Sequence, residues 1–226
     1  MPLDLQRIKG LCFDVDGTIS DTDDAWVYRI TKLLAPRNKK VNTRRARKVA
    51  RWLVMFTESP MNFVYYLMDS LSLDDNFARL FDRIARRQKG KQHHFILMDG
   101  ARELLDAARE RYPLSVVSAR DARTTEIFLR QYDIREHFLE VTTNLTCERT
   151  KPYPDPVLHA AARMQLPPEA CLMIGDTTVD ILAGRRAGAQ TVGVLCGFGT
   201  EGELRRAGAD VVLNDLYELY DLLFPR

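Results

Sequence analysis

The sequence predicts an α/β fold: a doubly wound, Rossmann-like parallel sheet core with an inserted α-helical cap. Three observations predict it. Short apolar runs alternate with helical stretches through most of the chain, residues 23 to 89 interrupt that alternation with helical periodicity alone, and the first apolar run ends directly in an acidic cluster. Open α/β sheets place their chemistry at the carboxyl ends of their strands, so the last observation locates a candidate site as well as a strand.

The first run is Ile8 to Phe13, followed by Asp14-Val15-Asp16-Gly17-Thr18. Its length and composition fit a buried strand. Leu114 to Val117, Phe138 to Val141, Cys171 to Ile174, Thr191 to Leu195 and Val211 to Leu213 read as further strands, with helices between them. In one gap Ala101, Leu104, Leu105 and Ala108 recur at i, i+3, i+4 and i+7, the spacing of one apolar helix face. Strand and helix alternating in this way call for crossover connections and hence a parallel sheet.

Residues 23 to 89 are too long for an ordinary loop and read as about four helices. Ala46, Val49, Ala50 and Leu53 form one apolar stripe and Phe77, Leu80, Phe81 and Ile84 another, so the segment can bury a small core of its own. The expected division is a core domain of residues 1–20 and 92–226 and a helical cap domain of residues 21–91. Between Ala25 and Thr57 stand ten basic residues, Arg29 to Arg51, and no acidic one. Arg44, Arg47 and Arg51 fall opposite the first stripe, which makes a solvated face the expected reading and an anion-attracting cap the alternative. Trp26, Tyr28, Tyr65 and Tyr66 are read as cap core rather than as lining.

With 226 residues, 46% of them hydrophobic, the chain suffices for one domain plus an insertion. Its 33 basic and 31 acidic residues leave a formal charge of +2, too balanced for the whole surface to trap nucleic acid, which is not an expected partner. Cys12, Cys147, Cys171 and Cys196 contain no C-x-x-C pair, which points away from a zinc cluster or a disulfide framework and towards a reducing compartment. The opening Met-Pro-Leu-Asp-Leu-Gln-Arg has no long apolar run, and no later segment offers about 18 uncharged apolar residues. A soluble cytoplasmic protein without a membrane partner, monomer or homodimer, is expected. His93, His94, His137 and His159 show no metal-ligand spacing and are read as surface or satisfied residues.

Two carboxylates two residues apart point to the same side of a strand, if the strand persists that far, so Asp14 and Asp16 can share one site. Like charges so close repel. A divalent cation would offset the repulsion and also neutralise an incoming phosphate, while Gly17 permits the tight turn that follows.

At this point the sequence resembles the haloacid dehalogenase superfamily. Asp14-Val15-Asp16-Gly17-Thr18 and its continuation Ile19-Ser20-Asp21-Thr22 carry the resemblance, which extends to phosphoglycolate phosphatase-like members with a helical cap inserted after this motif. Ser118 at the end of a strand, Lys151 in Lys151-Pro152-Tyr153-Pro154-Asp155-Pro156, and Gly175-Asp176-Thr177-Thr178-Val179-Asp180 match further family motifs in order. The resemblance implies that Asp14 is the nucleophile, Asp16 the general acid and base, and Lys151 a third catalytic group. It implies phosphate contacts from Thr18, Ser118, Ala119 and Lys151. A magnesium ion (Mg2+) would be held by Asp14, Asp176 and the backbone carbonyl of Asp16, with Asp180 behind them. These residue types suit phosphoryl transfer, which is assisted chiefly by positive charge and donors around the equatorial oxygens.

The implied activity is magnesium-dependent hydrolysis of small phosphomonoesters through an aspartyl-phosphate, with a small phosphorylated metabolite as partner. A sugar-phosphate mutase or a phosphonate hydrolase remains the alternative on the same residues, while Asp16 disfavours a dehalogenase. A non-catalytic polyanion-binding protein is the reading from another class, and intact Asp14, Asp16, Lys151 and Asp176 argue against it. One departure stands out: many relatives follow the hydroxyl residue with asparagine, whereas here Ala119 and Arg120 follow Ser118. Backbone N–H groups are expected to serve there, and Arg120 is expected in solvent.

Overall fold

The computed structural model of the chain describes residues 3–21 and 95–225. The chain divides into two units, Met1–Thr22 with Phe95–Arg226, and Asp23–His94. The described residues belong to the first. The expected cap, with its apolar stripes, basic stretch and aromatic residues, lies outside the described residues, as do His93 and His94.

In the first unit the strand after the N-terminal turn, β1 (Gly10–Phe13), is buried along its whole length. It pairs in parallel with β2 (Leu114–Val117) on one side and β4 (Cys171–Gly175) on the other. With β3 (Phe138–Thr142), β5 (Gln190–Val194) and β6 (Val211–Leu213) these form a six-stranded parallel sheet of order β3-β2-β1-β4-β5-β6. The strands are the expected ones, shifted by one or two residues at some ends. The largest shift is at the start, where Leu5 accepts from the Ile8 N–H in a turn and β1 begins only at Gly10.

Side chains alternate between two apolar layers, as a two-faced sheet requires. Leu11, Phe13, Val116, Leu172 and Ile174 face one layer, with Leu104 and Leu105 of α1 (Ala101–Arg109), Phe128 and Leu129 of α2 (Ala122–Gln131), and Leu216 and Leu219 of α6 (Leu216–Leu223). Cys12, Val117 and Met173 face the other, with Val157, Ala160 and Ala161 of α3 (Asp155–Arg163) and Ala183 and Ala187 of α4 (Thr178–Ala187). The short helix α5 (Glu201–Ala207) places Leu204 against Gly193 of β5. In α1 the buried residues are Ala101, Leu104, Leu105 and Ala108, the face that the i, i+3, i+4, i+7 spacing anticipates.

Chain order turns back at β1: β2 and β3 extend the sheet one way, β4 to β6 the other. The crevice beyond the carboxyl end of β1 is therefore the switch point where such sheets bind ligands. Asp14 follows β1, Ser118 follows β2, and Asp176 follows β4. Right behind Asp176, α4 lies so close to the sheet that a Cβ on Gly184 would stand 2.6 Å from Thr191 Cγ2 and 2.8 Å from Met173 Cβ. Gly184→Val is expected to force α4 off β4 and cost about 1–3 kcal/mol by overpacking. Urea unfolding checks this, and an unchanged midpoint would contradict it.

Candidate active site

The turn after β1 winds around one carbonyl. Val15 O accepts from the N–H groups of Thr18, Ile19 and Ser20, while Gly17 N–H donates to Ser20 O. Gly17 has φ +80, a conformation other residues enter at a cost, and a Cβ there would run into the Asp176 carboxylate. The strand conformation thus stops at Phe13. A compact turn, not a continued strand, presents Asp14 and Asp16.

Asp14 is 5% exposed. Its N–H donates to Ile174 O at 2.9 Å, which anchors it to β4. Its Oδ1 accepts from Lys151 Nζ at 2.6 Å. The same ammonium donates to Asp180 Oδ1 at 2.6 Å and to Val117 O at 2.9 Å, so its three hydrogens are all committed. Lys151 therefore bridges two carboxylates, Asp14 and Asp180. Burial alone would lower the Lys151 ammonium, but Asp14 and Asp180 hold it above its ordinary range. Asp14 is raised from 3.8 to about 7, chiefly by burial and with help from the charges of Asp180 and Asp16, against the downward pull of Lys151.

Asp180 serves two structures at once. Its Oδ2 accepts from Thr177 N–H at 3.0 Å and from Thr177 Oγ1 at 2.6 Å, closing the capping box of α4, while Oδ1 receives Lys151. Asp176 is fully buried between the turn after β1 and the loop after β5. Phe198 N–H donates to its Oδ2 at 2.7 Å, and Thr18 Oγ1 reaches its Oδ1 at 3.4 Å. Burial, then the charges of Asp180 and Asp14, push the Asp176 carboxyl well above its ordinary range.

Asp14, Asp176 and Asp180 each offer a carboxylate oxygen within 4.8 Å of the others. Three buried carboxylates beside one ammonium suit a hard, oxygen-liganded dication. Asp180 already accepts three close hydrogen bonds, from Lys151 and twice from Thr177, whereas Asp14 accepts one from Lys151 and Asp176 one short bond from Phe198 and a long one from Thr18, so Asp14 and Asp176 keep more capacity for a direct ligand. Asp180 instead secures Lys151.

Ser118 is buried; its N–H donates to Thr142 O and its Oγ accepts from Arg120 N–H at 3.1 Å. The hydroxyl hydrogen remains available to a ligand. Ala119 is exposed at the carboxyl end of β2. Thr18 is fully buried with its hydroxyl on Asp176, which supports a ligand rather than reaching outward.

Arg120 corrects an expectation. Its side chain is only 10% exposed and forks onto Asp16, with Nε donating to Oδ2 at 3.0 Å and Nη2 to Oδ1. Solvent loses because an apolar niche takes the guanidinium: its carbon lies 4.7 Å from the ring centre of Phe95 and 5.7 Å from that of Phe128. Sequence reasoning also missed Gly197-Phe198-Gly199, whose backbone closes on Asp176. A Cβ on Gly197 would strike Asp176 Oδ2 and Gly17 O, and one on Gly199 would strike Asp176 O. Two glycines bracketing one residue directly after a strand were the available signal. His137 Nε2 meets Asp106 Oδ1 at 2.6 Å while its buried Nδ1 has no partner among the described residues, and His159 lies 3.7 Å from Glu140 at the edge of the sheet.

A sequence model described as haloacid dehalogenase-like hydrolase matches residues 11–194. The chain is 26% identical to a pyrophosphatase, PpaX, of Anoxybacillus flavithermus over 96% of this chain and 97% of that one. It is 26% identical to a phosphoglycolate phosphatase of Chromobacterium violaceum over 98% and 99% respectively. The crystal structure of a hydrolase from Pseudomonas syringae superposes with a TM-score of 0.67 at 28% identity, covering 95% of this chain and 97% of that one.

The raised Asp14 carboxyl has a consequence for metal-free protein. Between pH about 4 and about 7 native Asp14 keeps a proton that the unfolded chain has released, so stability falls as pH rises through that window. Asp14→Asn is expected to flatten the fall. Urea unfolding in chelator across the window checks this, and a flat wild-type profile would contradict it.

Proposed function

The chain belongs to the haloacid dehalogenase-like hydrolase family, and from that premise we propose that it is a magnesium-dependent phosphatase of small phosphomonoesters that works through a phosphorylated Asp14. The observation that carries the reading is the Asp14 carboxylate itself. It stands at the carboxyl end of the central strand, fixed through one oxygen by Lys151, beside Asp176 and Asp16. The relatives' names differ in substrate, a pyrophosphate in one and phosphoglycolate in the other, and share release of phosphate.

In this reading the second oxygen of Asp14 attacks phosphorus in line as the bond to the leaving oxygen breaks. Asp16 gives that oxygen a proton. Water then attacks the phosphorus of the aspartyl-phosphate and returns a proton to Asp16, and the bond to Asp14 breaks to release phosphate. Lys151 holds Asp14 in its attacking orientation, and Ser118 donates its hydroxyl hydrogen to a phosphoryl oxygen. Asp14, Asp176 and the Asp16 carbonyl would hold magnesium, which when bound supplies positive charge against the crowded carboxylates and the phosphoryl oxygens. The same reading keeps the division into a core domain of residues 1–20 and 92–226 and a cap domain of residues 21–91. In this reading the inserted segment would exclude water and sort leaving groups.

A panel of phosphorylated metabolites assayed with magnesium for released phosphate tests the function. Turnover is expected on at least one small phosphomonoester, lost in chelator and in an Asp14→Asn variant that still unfolds cooperatively. Silence across the panel, or full activity in chelator, would sink the reading. Lys151→Ala should lower kcat/KM by about 100-fold or more, the scale on which loss of one preorganised donor acts. An unchanged kcat/KM in a folded variant would remove Lys151 from the chemistry.

A further inference from the structure

We propose that Arg120 is the residue that positions Asp16 for proton transfer, a role that rests on the phosphatase reading above. The inference comes from how each partner is held. Asp16 has its side chain 33% exposed, and it follows a strand that has already ended. A carboxylate in that situation is placed by what its oxygens meet rather than by the strand. A general acid and base acts only from hydrogen-bond reach of the proton it moves, and wandering from that place is costly.

Arg120 supplies such a contact. Its planar fork meets both oxygens of Asp16 through Nε and Nη2, fixing the plane of the carboxylate as well as its place. The fork is itself mounted rigidly. Phe95 and Phe128 flank the guanidinium and meet each other edge to face at 5.8 Å. Phe95 O accepts from Gln131 Nε2 at 3.1 Å and Tyr132 hydroxyl at 2.9 Å. Behind Arg120, Asp121 caps α2 by accepting from Thr124 N–H at 3.0 Å, which fixes where the arginine leaves the backbone. The same residue donates its backbone N–H to Ser118 Oγ. One residue thus orients a phosphate-binding hydroxyl through its backbone and a proton-transfer group through its side chain.

Lysine could not replace it: a single ammonium supplies charge without the planar pair of donors. Nor is the arginine a surface ion pair of negligible effect, because it is nine-tenths buried and stacked on two rings.

The test compares wild type, Arg120→Ala, Arg120→Lys, Asp16→Asn and the Asp16→Asn/Arg120→Ala double variant on one small activated aryl phosphate. Arg120→Ala is expected to lose about 100-fold in kcat with KM changed less than about threefold, the pattern of a misplaced catalytic group. Guanidinium chloride at millimolar concentration should restore part of that loss in Arg120→Ala and leave wild type and Arg120→Lys unimproved. Adding Arg120→Ala to Asp16→Asn should cost little further, because the arginine acts through the carboxylate. Melting temperatures establish that each variant is folded, and the guanidinium rescue separates positioning from general damage. An undiminished kcat in Arg120→Ala, or losses that simply multiply in the double variant without guanidinium rescue, would overturn the role while leaving the phosphatase reading in place. A wild-type protein that releases no phosphate would overturn both.

Discussion

A single buried ammonium, that of Lys151, binds together the functional edge of the sheet. It draws on Asp14 after β1, on the Val117 carbonyl at the end of β2, and on Asp180 in the first turn of α4. Side chains this deeply buried are not left unpaired, because a lone charge away from water costs far more than the contact returns. Removing the lysine would strand two carboxylates already crowded by Asp176, a loss on the order of 3–5 kcal/mol in comparable buried pairs. A well-packed apolar replacement for all of them would cost the fold little by the same reasoning. Burial of so much charge is explained by chemistry rather than by stability.

Backbone does the complementary work. Asp176 is enclosed where three glycines, Gly17, Gly197 and Gly199, allow the chain to close on a carboxylate. Phe198 contributes an N–H to it, Thr18 a hydroxyl. A carboxylate held by a backbone N–H on one oxygen and a hydroxyl on the other is kept from turning away, so its remaining capacity stays aimed at the crevice shared with Asp14. Charge density is the result: three buried carboxylates against one lysine leave a deficit that a dication suits.

The Asp16 side of the site is built differently. Its carboxylate is partly exposed and is held by an arginine from the adjoining strand end, itself packed between aromatic rings of Phe95 and the α2 residue Phe128. The nucleophile is thus tied through a lysine into the sheet. The proton-transfer group is tied through an arginine into an aromatic cluster at its side. Two anchors of different geometry suit two tasks, a point charge for an attacking oxygen and a planar fork for a group that must face a moving proton.

The sequence by itself determined the strands and the apolar face of α1, and it set Asp14, Ser118 and Asp176 at strand ends and Asp16 just beyond one, because periodicity and strand-end location are local properties of the chain, while Lys151 was legible only through the resemblance to a family. The Asp180 capping box, a Thr-x-x-Asp run at a helix start, is a local pattern of the same kind that sequence reasoning missed. Only the tertiary structure decided who pairs with whom. That Lys151 spends all three hydrogens within the protein, that Asp180 secures it, and that Arg120 leaves solvent for Asp16 depend on residues 29 to 137 positions apart in the chain. The glycines of the loop after β5 matter for the same reason: their missing side chains make room for an oxygen of Asp176, about 20 residues away, and no local pattern records such a distant neighbour.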